Sequence, residues 1–382
     1  MAGLLIGLLC SAPAAGRPVE QDAQTSESSS AEYAAVGIAG PFEFPWSIAF
    51  LPDGAILVTE KPGRLNLIGP GLETRQIDGV PPVLSGLHAG LLDVAVAPDF
   101  SSSGTLYLSY ASGTEAASTI RVVRARLDQA KTTLVDHQVI FESDPPTASL
   151  EQLGGRLAWT REGFLLLTLG DRWEPERAQD LTDHAGSIIR IGPDGSVPSD
   201  NPFMAVPGAK PEIWSYGHRN PQGLAVDSET GQVWSTEHGP QGGDEINLIE
   251  GGRNYGWPIV TYGMNYDGTP VGIGTAAPGF QQPIHYWVPS IAPSGLALER
   301  DDDQLTLWAG ALAGQMVVQV ESGGGRTWTE RRFLVGEIGR IRDVRLGPDS
   351  LLYVITDDPE AMLYRLIPAT EQARRQGGRR PL

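Results

Sequence analysis

Between Glu212 and Pro258 the sequence crowds Arg219, Asn220, Gln222, His238, Asp244, Glu245 and Trp257 among glycines and prolines. A planar guanidinium beside two side-chain amides suits a flat, anionic, oxygen-rich ligand, because each presents donors in a fixed plane. The Glu237-His238-Gly239-Pro240 turn, followed by Asp244 and Glu245, offers backbone carbonyls and carboxylates, the oxygen ligands that Ca²⁺ prefers. Taken singly, any of these residues is as readily a turn former or half of a surface ion pair; together they mark a site. They lie at the ends of two apolar strand patterns, Gly223 to Val226 and Gln232 to Thr236. A rigid sheet running into polar loops is how such groups are held still.

The strand pattern recurs along the chain as a short apolar strand, a turn rich in Asp, Gly or Pro, and a second apolar strand. It spans Ser47 to Glu60, Asp93 to Ala111, Arg156 to Asp171, Gly223 to His238, Gly295 to Ala311 and Asp343 to Asp358. Copies recurring at roughly 45 to 75 residues match the blade period of a β-propeller with loop insertions. Segments such as Arg64 to Ile68, Ile120 to Leu127 and Met316 to Val320 supply outer strands. The expected fold is therefore all-β, a six-bladed β-propeller over residues 41–368, beginning near Phe42. With 47 glycines, 30 prolines and no long amphipathic helical run in 382 residues, the composition agrees.

In a propeller, the loops entering the innermost strands gather at one end of the central channel. Residues just before each repeat should then converge: His88 before the second, Gln152 before the third, Arg219, Asn220 and Gln222 before the fourth, Arg340 and Arg342 before the sixth.

A net charge of −18 argues against a nucleic-acid partner, since no broad face neutralises phosphates. Residues 1–15 combine an apolar run, Gly3 to Leu9, with Ser11-Ala12-Pro13-Ala14-Ala15, which is read as a secretory signal cleaved near Ala14 or Ala15. The run is too short for a membrane span. Export to the periplasm or beyond follows, with Cys10, the sole cysteine, either removed with the signal or lipidated. Residues 16–40 read as a polar linker and 369–382, with Arg374, Arg375, Arg379 and Arg380, as a solvated basic tail. Gly272 to Ala277 fits a dinucleotide glycine pattern, but Pro278 follows and no βαβ unit surrounds it, so it is read as a loop. Asp171 and Asp183 read as turn or cap residues, and His137 and His285 as structural.

The stretches GLLDVAVAPDF, GGRL, QDLTDHAGSIIRI, VPSDNPF, GHRNPQGLA, EHGPQGGDEINLI and NYGWP resemble the soluble pyrroloquinoline quinone (PQQ)-dependent aldose sugar dehydrogenases of the glucose/sorbosone dehydrogenase group. The resemblance runs from Pro45 to Asp349 and implies a propeller carrying PQQ and Ca²⁺ on one face. It implies that Arg219, Asn220, Gln222, Arg340 and Arg342 hold the carboxylates and quinone oxygens of PQQ. It gives the Gly239 and Pro240 carbonyls to a Ca²⁺ that also holds the cofactor, Glu245 and the Tyr255 carbonyl to a second Ca²⁺, and Asp171 to the active site. The implied reaction oxidises an aldose at C1 to a lactone, with electrons leaving to an external acceptor such as a quinone, cytochrome or dye.

The sequence departs from that pattern at the proton acceptor. Where the family carries a histidine, two residues before Gly154-Gly155-Arg156, this chain has Gln152; where the family carries a glutamine, it has His88. An amide cannot take a proton, so if the two positions face each other His88 becomes the candidate base. A cofactor-contacting lysine of some glucose-oxidising members also has no match near Ala313-Gly314-Gln315. Two other functions stay open at this point: a silent propeller that binds a sugar or partner without turnover, and a metal-dependent lactone hydrolase, in which Arg340 and Arg342 would have no role.

Overall fold

Each of the six repeats folds into an antiparallel hairpin, and each hairpin is extended to a four-stranded sheet. In the first, Pro45–Phe50 pairs with Ile56–Glu60 across the Asp53-Gly54 turn, with Gly54 at a positive φ that a side chain would strain. The computed structural model describes residues 32–323 and 327–369. Its blades, counted from that hairpin, begin with the strands Pro45–Phe50, Leu91–Val96, Gly154–Trp159, Pro221–Val226, Pro293–Asp301 and Ile341–Leu346. These first strands touch their neighbours in a closed ring, which makes the molecule a six-bladed β-propeller.

The core lies between blades rather than within them. Leu57 and Leu65 of the first blade pack with Leu106 and Leu108 of the second, and Trp234 and Ile246 of the fourth pack with Leu307 and Val318 of the fifth. A strand covered by a blade on each side has no solvent face. This is why Leu165–Leu169 (LLLTL) reads as an unbroken apolar run, buried throughout, instead of alternating.

The expected domain start near Phe42 is corrected by one strand. Tyr33–Phe42 pairs antiparallel with Ala361–Pro368 and completes the sixth blade, so residues 33–40 belong to the propeller and not to a linker. The segment, YAAVGIAGPF, is an edge strand of small residues, mostly half-exposed, and carries little of the hydrophobic patterning by which a strand is recognised. Its Tyr33 ring meets Phe333 and Trp308 edge-on at 5.3 and 5.9 Å, tying the closure to the fifth blade. The proposed signal at 1–15, the stretch 16–31 and the tail 370–382 lie outside the described residues. No helix among the described residues is long and apolar enough to cross a membrane.

A charge cluster that the sequence did not disclose crosses the axis of the ring. Arg156, only 1% exposed, reaches from the third blade to Asp93 of the second (3.4 Å) and Asp343 of the sixth (3.2 Å). Arg345 meets the same two carboxylates at 3.4 and 3.0 Å. Two cations against two anions leave no net buried charge, the condition under which such a cluster is tolerated. The Arg156 guanidinium lies 4.1 Å from the Trp46 ring centroid and donates from Nε to the Gln222 carbonyl at 2.9 Å. Through Trp46 and Gln222 the cluster supports the floor of the cleft described next.

Candidate active site

One end of the ring opens into a cleft of about 260 Å³. Its walls include His88, Asn220, Gln222, His238, Arg340 and Arg342, so residues that precede the second, fourth and sixth repeats converge there. A continuous polar chain joins Asn220, Gln222, Arg342 and Arg340. Asn220 Oδ1 accepts from the Gly154 backbone N–H (3.1 Å) and from Gln222 Nε2 (3.0 Å). Gln222 Oε1 accepts from Arg342 Nη1 at 3.3 Å, and Arg342 Nε and Arg340 Nη2 donate to the two oxygens of Asp357 at 3.2 and 2.9 Å. Burial works against the charge on Asp357, but Arg342 and Arg340 hold its carboxyl below the ordinary range.

His88 and Gln152 are neighbours. The His88 backbone N–H donates to the Leu150 carbonyl at 3.2 Å, and the Gln152 backbone N–H donates to His88 Nδ1 at 3.4 Å. Burial pushes the His88 imidazole below its ordinary pKa, and Arg342 and Lys61 push it further against an opposing pull from Glu151. Because Nδ1 accepts the Gln152 N–H, that nitrogen carries no proton in this contact. Gln152 sits at φ 47° with its side chain buried. With its amide turned to satisfy both ends, it donates to Asp171 Oδ1 and accepts from Arg219 Nη2, each at 3.3 Å.

Asp171 is fully buried behind the cleft wall. Its Oδ2 accepts from Trp257 Nε1 at 2.7 Å and its Oδ1 from the Trp173 N–H at 3.0 Å. Burial pushes its carboxyl up to about 6, although Arg219 favours the charged form. Arg219 lies between Trp173 and Trp257, at 5.5 and 5.3 Å from their centroids, and its Nη1 donates to the carbonyls of Gly239 (2.6 Å) and His238 (3.3 Å). His238 is pushed down to about 3 by burial and by Arg219, and its Nε2 lies 2.6 Å from the Pro293 carbonyl.

Asp244, which the sequence offered as an oxygen ligand, is consumed otherwise. Its Oδ1 accepts from the Gly239 N–H at 2.8 Å, and its Oδ2 from Ser290 Oγ and the backbone of Ile291 and Ala292 at 2.7 to 2.9 Å. It thus clamps the Gly239-Pro240 turn to the loop entering the fifth blade. Glu245 and Tyr255 stand apart from the cleft, in a second cluster. His218, which bonds Glu237 at 2.8 Å and Ser215 at 2.9 Å, stacks on Tyr255 with centroids 4.6 Å apart. Glu237 pairs across the sheet with Glu245, and burial together with Glu237 pushes the Glu245 carboxyl up to about 8. Asn247 Nδ2 donates to Glu245 at 3.0 Å while its buried Oδ1 has no partner.

The remaining residues singled out in the sequence are structural. Asp183 takes a two-point ion pair from Arg177, His137 contacts the Gly79 carbonyl at 2.7 Å, and His285 contacts Glu330 at 2.7 Å. Gly272 to Ala277 is a loop. Cleft residues missed at the sequence level are Trp46, Lys61, Leu312 and Asp357. Three of them, Lys61, Leu312 and Asp357, follow the second strand of a repeat. An antiparallel hairpin returns to the end it started from, so the residues closing each repeat were as good candidates as those opening it.

Comparison with known proteins agrees with this geometry. The family model of glucose/sorbosone dehydrogenase matches residues 42–365. The aldose sugar dehydrogenase YliI of Escherichia coli is 39% identical over 336 residues, covering 85% of this chain and 90% of the relative. The apo-form structure of the soluble aldose sugar dehydrogenase from Escherichia coli superposes with a TM-score of 0.84 at 38% identity, over 88% of this chain and 99% of that one. A PQQ-bound aldose sugar dehydrogenase structure from Streptomyces coelicolor superposes with a TM-score of 0.73 at 27% identity, over 88% and 98%.

Proposed function

Because the chain belongs to the glucose/sorbosone dehydrogenase family, we propose that it is a PQQ- and Ca²⁺-dependent sugar dehydrogenase. It oxidises an aldose at C1 to the lactone and passes the electrons to an external acceptor. Export to the periplasm or beyond, directed by residues 1–15, belongs to the same reading.

The observation that carries it is the sign and donor set of the cleft. In a chain of net charge −18, Arg340 and Arg342 share the carboxylate of Asp357 and stand with Asn220 and Gln222 around one cavity. That set fits a flat polycarboxylate: Arg340 and Arg342 would take carboxylates, and Asn220, Gln222 and Arg219 would take ring oxygens. The metal positions also fit. The Gly239 carbonyl is already turned toward a cation, the Arg219 guanidinium, and with the Pro240 carbonyl it would hold Ca²⁺. At the second site, a cation between Glu245 and Tyr255 would relieve the proximity of Glu237 and Glu245 and partner the orphaned Asn247 oxygen.

When bound, PQQ supplies a hydride acceptor and Ca²⁺ a Lewis acid on its carbonyl. His88, whose imidazole lines the cleft, would take the C1 hydroxyl proton. The Gln152 main chain contacts that imidazole, and the Gln152 side chain bridges Asp171 and Arg219 behind it.

The test is titration of the apoprotein with PQQ, with and without Ca²⁺, followed by dye reduction over an aldose panel. Saturable, Ca²⁺-dependent binding with dye reduction supports the reading; no PQQ binding at any Ca²⁺ concentration overturns it. Gln152 favours one second reading, a propeller that binds PQQ and a sugar without turnover. Saturable binding with no dye reduction would identify it.

A further inference from the structure

Lys61 stands on the cleft wall with its backbone fixed on both sides. Its backbone N–H donates to the Phe44 carbonyl at 3.0 Å, and its own carbonyl accepts from Leu91 at 3.1 Å. Gly90 is packed so tightly on that carbonyl that a Cβ there would meet the oxygen at 2.2 Å. The ammonium donates to the Leu87 carbonyl at 3.3 Å and lies 4.9 Å from the Phe44 ring centroid. Among the described residues it has no carboxylate partner within ion-pairing distance.

Lys61, Arg340 and Arg342 all line the cleft, and the carboxylate that lines it with them is Asp357, already bonded by both arginines. Three cations against one anion leave the wall with two uncompensated positive charges, in a protein whose overall charge is strongly negative. Clustered like charges of this kind are unfavourable unless a ligand neutralises them. Burial and the neighbouring Arg342 already hold the Lys61 ammonium below the ordinary lysine pKa.

We propose that Lys61 is the third cation of a polycarboxylate site, acting with Arg340 and Arg342 on the carboxylates of the ligand. The inference rests on the PQQ reading above and deepens it: PQQ carries three carboxylates, and the wall then offers a cation to each. Lys61 belongs to the first blade, far in sequence from the arginines of the sixth. The ligand would thus bridge the two blades whose junction is closed by the N-terminal strand.

The experiment compares PQQ binding to wild type, Lys61→Met and Lys61→Arg, by fluorescence or absorbance titration at saturating Ca²⁺ over a range of salt. Met keeps an unbranched apolar side chain while removing the charge, and thermal melts report whether each variant is folded. Lys61→Met is expected to weaken PQQ binding roughly 10-fold or more at low salt, the scale of a lost charge-assisted hydrogen bond, and to flatten the salt dependence. Lys61→Arg is expected to stay within about threefold of wild type, since the charge is kept. Wild-type affinity and salt slope in folded Lys61→Met would overturn the assignment and leave the PQQ reading standing. Absence of PQQ binding by wild type would overturn both.

Discussion

His88 Nδ1 lies 3.4 Å from the backbone nitrogen of Gln152, so the two residues that the family resemblance implies have exchanged positions are neighbours, joined through the Gln152 main chain. Such an exchange would keep an imidazole in the cleft while moving it from the third blade's loop to the second's. What changes is its backing: Asp171 now meets an amide, and the histidine is held through the Gln152 and Leu150 backbones.

If His88 is the base, His88→Gln should lower turnover roughly 10² to 10⁴-fold while leaving PQQ affinity nearly intact. The wild-type rate should rise with pH through a group titrating below the ordinary histidine range, because burial and Arg342 favour the neutral form. That limb should vanish in the variant. Adding Gln152→His to His88→Gln should recover part of the loss, since Asp171 Oδ1 and Arg219 stand ready to orient an imidazole there. A fully active His88→Gln enzyme would remove His88 from the mechanism.

Chelation of Ca²⁺ should weaken PQQ binding sharply, because the Ca²⁺ proposed at the Gly239 and Pro240 carbonyls would itself hold the cofactor. Readdition of Ca²⁺ should restore it. Equal PQQ affinity with and without chelator would sink the shared-ligand assignment of Gly239 and Pro240.

The six hairpins were legible because each joins apolar strands through Asp, Gly or Pro turns, and that chemistry is local. The convergence of His88, Asn220, Gln222, Arg340 and Arg342 was legible because propeller topology maps loop position onto one face. Lys61 and Asp357 close their repeats, and reading only the opening loops missed them. Arg156 stands out in the sequence only as part of a motif, because a charged residue in an inner strand signals nothing about partners in other blades. Tyr33–Phe42 was hidden for the opposite reason, being too small and too exposed to look like a strand.

Removing residues up to Phe42 should expose the unpaired edge of Ala361–Pro368 and lower the melting temperature, with aggregation on heating. Tyr33→Ala should reproduce part of the loss, on the order of 1 to 2 kcal/mol, through its edge-on contacts with Phe333 and Trp308. A truncated chain as stable and monomeric as wild type would mean that the strand does not close the ring.

The axial cluster makes the final prediction. Arg156→Met keeps an unbranched side chain but leaves Asp93 and Asp343 with Arg345 alone, an excess anion at sites 1% and 0% exposed. Breaking a buried pair in this way is expected to cost about 3 to 5 kcal/mol, read from the urea midpoint. The Leu157 N–H bond to Asp93 (2.7 Å) and the Ile48 N–H bond to Asp343 (2.9 Å) do not supply the missing charge. Asp343→Asn added to Arg156→Met restores one cation to one anion and should recover part of the stability, although the amide fits the Ile48 bond less well. The double variant distinguishes charge from packing. If it is no more stable than Arg156→Met, the guanidinium holds the ring together mainly through its stacking on Trp46 and its bond to the Gln222 carbonyl, and electrostatic balance across the axis is secondary.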